Sequence, residues 1–78
     1  MRITISRHAK RRMKLYSIKE SDISFLLNHS QKTKIIGKHD VVDKLANFSY
    51  PIKVLFEVRE KDIFIITCYP LKRARNEN

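Results

Sequence analysis

VLFEVREKDIFIITCYP, residues 54–70, is the stretch on which the fold turns. Val54, Phe56 and Val58 alternate with charged neighbours, since Lys53, Glu57 and Arg59 fall on the opposite parity. A two-residue repeat of this kind is the pattern of a strand with one buried face. Glu60–Lys61–Asp62 then turns the chain, and residues 63–69 return apolar on both faces, as a central strand does. The two runs read as an antiparallel hairpin. Pro70 closes it, because proline has no N–H to give to a ladder.

Ahead of the hairpin the period lengthens from two to that of a helix. In SRHAKRRMKLY, residues 6–16, Ser6 is a suitable N-cap. Ile5, Ala9, Met13 and Tyr16 share one face, which we take as the buried one. His8, Arg11, Arg12 and Leu15 form a second stripe along its border, with Lys10 and Lys14 beyond the opposite flank. A second helix follows in YSIKESDISFLLNHS, residues 16–30. Two starts stay open for it: Ser17 with Glu20 at capping-box spacing, or Lys19 as cap with Ile18 and Ile23 as a hydrophobic staple. Glu20 and Asp22 suit the first turn electrostatically, and Ile23, Leu26 and Leu27 form its apolar stripe.

Between helices and hairpin the pattern is weaker. TKIIGK, residues 33–38, reads as a first strand with Gly37 near its end. Val41–Leu45 reads as a short strand and Asn47–Pro51 as a loop. MRITIS at the N-terminus leans toward β, as a strand or an extended lead-in. The expected architecture is therefore α+β: one domain over residues 1–78, two N-terminal helices packed on a three- to four-stranded antiparallel sheet, and a flexible basic tail over 71–78.

A domain of 78 residues buries only ~60% of the surface its unfolded chain exposes, which leaves room for a second copy or another partner to add stability. Seventeen Lys and Arg against eight Asp and Glu give a formal charge of +9. Residues 1–19 hold seven of those bases and no acid, and residues 71–78 hold three bases and one acid. Two basic ends on a balanced middle suggest a concentrated cationic patch, for which a polyphosphate backbone is the expected partner. One cysteine, no secretory h-region and no apolar run of membrane-spanning length point to a cytoplasmic protein with no membrane partner.

Those residues can be asked which chemistry they would serve. A single glycine excludes a Gly-rich phosphate loop. His39, Asp40 and Asp43 lie close in sequence, but no second ligand cluster accompanies them, so no metal and no other cofactor is expected. Metal-free RNA cleavage needs a base for the 2′-hydroxyl, cations for the charge growing on the phosphate, and an acid for the leaving 5′-oxygen. His8 is the acid–base candidate, since a histidine offers both protonation states near neutrality. Arg12, one helical turn on, would grip the scissile phosphate with its fork of donors. Tyr69 would supply a hydroxyl from the end of the last strand. Arg7, Arg11, Lys72, Arg73 and Arg75 would bind RNA around them. Each has a plainer role open to it: His8 and Tyr69 as packing residues, Arg12 in an ion pair with Glu20 or Asp22, and Lys72–Arg75 as a solvated terminus. Cys68, in an apolar strand, reads as a buried small hydrophobe.

SRHAKRRM, then SIKESDI, then VLFEVREKDIFIITCYP resemble, in that order, small bacterial domains that begin S-x-H-A-x-x-R-M and close with a hairpin ending T-x-Y-P. That family is similar to BrnT-type toxins and, more distantly, to RelE-type messenger-RNA endonucleases. The resemblance spans about residues 5–70. It implies a ribonuclease-like α+β fold and a toxin partnered by an acidic antitoxin. The family's glycine between the two helices is replaced here by Ser17, and residues 37–50 align poorly. A non-catalytic nucleic-acid-binding module is the competing expectation; it needs the charge and the scaffold but not His8.

Overall fold

The computed structural model describes residues 2–71. Strand β1 (Arg2–Ile5) leads into helix α1 (Arg7–Tyr16) and helix α2 (Glu20–Asn28). A 3-10 turn over Gln31–Lys34 follows, then β2 (Gly37–Asp43), β3 (Ile52–Val58) and β4 (Asp62–Pro70). The sheet order is β1-β4-β3-β2. The hairpin of β3 and β4 forms as its alternation requires, with Val58 opposite Ile63 and Val54 opposite Cys68.

The sheet is mixed, which corrects the expectation of an all-antiparallel one. β1 pairs with β4 in parallel, Arg2 opposite Asp62 and Ile5 opposite Ile65. The helix that follows dictates this direction. Where β1 stops, the Ser6 N–H donates to the Ile65 carbonyl at 3.0 Å, and α1 then continues along the second half of β4. The N-terminal strand is therefore part of the sheet, and the element order is one strand, two helices, three strands.

The expected strand over residues 33–38 is also corrected. Ser30 Oγ accepts from the Lys32 N–H at 3.2 Å and Thr33 Oγ1 donates to the Ser30 carbonyl at 3.2 Å. These local side-chain bonds stabilise a turn against a ladder. Ile35 and Ile36 remain exposed, and Gly37 opens β2 with φ of +127°, a conformation that L side chains rarely adopt. Glycine starts this strand instead of ending it.

Both helices cover one face of the sheet. Ala9 and Met13 of α1 and Ile23, Leu26 and Leu27 of α2 pack with Ile52, Val54, Phe56, Val58, Ile63, Ile65 and Cys68 in a single core. Ala9 is wholly buried, and its small side chain lets α1 approach β4 closely. Ser17 ends α1 in the left-handed conformation (φ 59°), after which the Ile18 N–H returns to the Met13 carbonyl at 2.8 Å. Lys19 caps α2. Its N–H donates to Asp22 Oδ2 at 2.9 Å, and the flanking Ile18 and Ile23 are both buried, which settles the staple arrangement.

The far face of the sheet carries Lys53, Leu55 and Glu57 from β3 and Phe64, Thr67 and Tyr69 from β4, with no described helix over it. Arg59 lies over the Phe64 ring, 4.7 Å from its centre. β4 carries one irregularity. Leu55 faces Thr67 and Phe56 faces Ile65, so Ile66 has no partner and forms a bulge.

Candidate nucleic-acid interface

The bulge serves the helix that carries most of the charge. With Ile66 outside the ladder, its carbonyl accepts a bond from Ser6 Oγ at 2.9 Å. The same oxygen of Ser6 accepts from the Ala9 N–H at 2.9 Å, capping α1. One side chain thus fixes where α1 begins and ties that point to β4.

From this anchor α1 turns Arg7, His8, Lys10, Arg11 and Lys14 to solvent. Arg12 is half-buried, and its Nε donates to His8 Nε2 at 3.4 Å, one turn back. That distance is at the long end for such a bond. Such a bond forms only while Nε2 is unprotonated and able to accept. The two terminal nitrogens of the guanidinium make no hydrogen bond to a described residue, while Nε steadies the fork against the imidazole. Arg12 also faces Cys68: burial pushes the thiol up to about 11, and the nearby guanidinium pulls weakly the other way. Cys68 is a protonated core residue, not a nucleophile.

Among the described residues, carboxylates form three ion pairs, namely Lys32–Asp40, Lys53–Asp40 and Arg59–Glu57. None involves α1, and Arg12 pairs with neither Glu20 nor Asp22. Among the described residues, then, no carboxylate pairs with a cation of α1, and the helix presents a patch of positive potential. Lys32 Nζ also bonds the Asp40 carbonyl at 2.9 Å, and its hydrogen bond to the Asp40 carboxylate, together with its charge, holds that carboxyl below the usual range.

Tyr69 is placed apart from this group. It stands opposite Lys53 on the sheet face away from the helices, whereas its neighbour Cys68 points into the core. His8 and Arg12 come together; Tyr69 does not join them. Lys72, Arg73 and Arg75 lie outside the described residues. His39 Nε2 lies 2.7 Å from the Ile35 carbonyl, and among the described residues no three His, Cys, Asp or Glu side chains group so as to hold a metal ion.

A cleft of about 620 Å³ opens where α1 ends, bounded also by the start of α2, the loop before β3 and Pro70. Tyr16, Phe48 and Tyr50 give it three rings, and Asn47, Ser49 and Lys19 give it polar edges. Sequence reading marked residues 47–51 only as a loop. The signal available was the density of Asn, Phe, Ser and Tyr, a composition suited to contact as much as to turning. No family model, curated protein or solved structure matches this chain. Fold and site define a small basic α+β protein with a cationic helix that no described carboxylate pairs with, and none of its described helices is long and apolar enough to cross a membrane.

Proposed function

We propose that the protein acts on RNA as the toxin of a toxin–antitoxin pair, a metal-independent endoribonuclease of RelE- or BrnT-like architecture. The carrying observation is the Arg12–His8 pair on a helix whose other charged residues, Arg7, Lys10, Arg11 and Lys14, are all cations. In the reaction, His8 Nε2 takes the proton of the 2′-hydroxyl as Arg12 shifts its donors onto the phosphate. The 2′-oxygen bonds to phosphorus as the bond to the 5′-oxygen breaks, and the departing 5′-oxygen takes a proton from solvent water, leaving a 2′,3′-cyclic phosphate and a 5′-hydroxyl. Oriented donors on the phosphate contribute ~3 kcal/mol each to such a step. An acidic antitoxin segment would cover the same helix.

Expression should arrest growth, and Arg12→Ala or His8→Ala should each release the arrest while the protein stays folded. Labelled RNA incubated at neutral pH with EDTA should yield fragments ending in the cyclic phosphate. Toxicity undiminished in both variants would end this reading of α1. The position of Tyr69 favours a second reading, a non-catalytic RNA-binding module, because it leaves the described site without an acid for the leaving oxygen. In that case the same assay returns the RNA bound and intact.

A further inference from the structure

His8, Arg12 and Tyr16 recur every four residues and so form one ridge along α1, rising about 6 Å per step. The ridge begins at the candidate base, passes the candidate phosphate grip, and ends at a ring that lines the 620 Å³ cleft. The two ends differ in chemistry. The helix face is cationic. The cleft holds one cation, Lys19, and one carboxylate, Asp22, whose Oδ2 is already bonded to the Lys19 backbone N–H. A phosphate therefore belongs on the ridge, and a neutral, flat, hydrogen-bonding group belongs in the cleft.

We propose that this cleft receives an unpaired nucleobase of the RNA strand whose phosphate Arg12 holds, a proposal that rests on the RNA reading above. Tyr16 and Phe48 are partly buried against the core and form fixed walls. Tyr50 is 44% exposed, an aromatic ring left open to solvent beside them. Aromatic rings accept any base by stacking, and polar edges discriminate among them. Asn47 and Ser49 supply those edges: both are exposed, and neither side chain bonds to a described residue. The strand would thus run along α1 with its backbone on the arginines and turn one base into the end of the molecule. Selection of the strand then comes from the loop ahead of β3, and retention from the helix.

The full chain is titrated with short single-stranded 2′-O-methyl RNAs, which cannot be cut, and with an abasic strand of the same length. The wild type should bind the base-bearing strands about tenfold more tightly than the abasic one. Tyr50→Leu, which keeps an apolar side chain but cannot stack in the same way, should bring that ratio to near one without moving the salt dependence. Asn47→Ala should level the affinities among the four homopolymers, and thermal melting checks that both variants fold. Equal binding of abasic and base-bearing strands by the wild type, or a ratio unmoved in Tyr50→Leu, overturns the proposal and leaves the RNA reading standing. Absence of salt-dependent binding to any strand overturns both.

Discussion

Arg11→Gln should make the protein more stable and a poorer binder of RNA. Within α1 the like-charged neighbours at helical spacing are Arg7–Lys10, Arg7–Arg11, Lys10–Lys14 and Arg11–Lys14. Each such pair destabilises a helix by ~0.2–0.5 kcal/mol at low salt. Arg11 takes part in two of them, is exposed, and has no carboxylate partner among the described residues. Arginine and glutamine have closely similar helix propensities, so the exchange isolates charge. Removing two repulsive pairs should raise stability by about 0.4–1 kcal/mol, a shift of about 2–8 °C in Tm for a domain of this size. Urea denaturation at low and at molar salt provides the assay. At molar salt, where the screening length falls to ~3 Å, the wild type should close most of the gap to the variant. RNA affinity should fall, with the salt slope reduced by about one counterion. A variant no more stable than the wild type at low salt, or a gap that salt does not narrow, would show that the charge of α1 is not held against folding, and the case for a surface prepared for an external anion would lose its physical basis.

Arg12→Lys keeps the charge but loses the fork, so RNA affinity should drop roughly tenfold with the salt slope unchanged; a slope change without loss of affinity would contradict the assigned grip. Ser6→Ala removes a helix cap and strands the Ile66 carbonyl, which together should cost about 2 kcal/mol in equilibrium unfolding, and a loss under about 0.5 kcal/mol would refute the double role. Ser17→Gly should stabilise by about 0.5 kcal/mol, the relief of a left-handed L residue less the extra freedom of unfolded glycine, while Ser17→Val should destabilise. The Cys68 thiol is raised from 9.0 to about 11 by burial, so folding favours its protonated form. That contribution is whole below pH 9 and disappears as pH climbs toward 11. Wild-type stability should fall across this range by on the order of 2–3 kcal/mol more than that of Cys68→Ala, and parallel profiles would refute it.

Where side chains act through their own element, the sequence was readable. The faces of α1, its Ser6 cap and the hairpin of residues 54–70 follow from spacing and composition, whereas the choice between two starts of α2 was decided only by the cap at Lys19 and the burial of Ile18 and Ile23. The parallel pairing of β1 was not readable, since four residues of β-leaning sequence do not say which edge they will meet. The start of β2 was missed because Ile35 and Ile36 look like strand residues. Ser30 and Thr33 had already committed the preceding segment to a turn, and Gly37 was needed to leave it.

The candidate site divides along the same line. His8 and Arg12 are four apart on a helix, and that spacing alone brings them within a hydrogen bond. Tyr69 was placed only by its position at the end of the last strand, and there a single residue decides which face it takes. Ile63 and Ile65 face the core, so an unbroken alternation would turn Tyr69 to the same side as α1. The bulge at Ile66 shifts the register by one, sends Cys68 inward, and puts Tyr69 beside Lys53 on the far face. Nothing in the run Ile65–Ile66–Thr67 announces the bulge, since no glycine marks it. Its reason lies sixty residues away, in the Ser6 hydroxyl that takes the released carbonyl. The contact that fixes α1 to the sheet is thus the one that removes Tyr69 from α1. A phenol can return to the helix side only if β4 loses its bulge, and losing it would release the Ile66 carbonyl from Ser6 and unseat the start of α1.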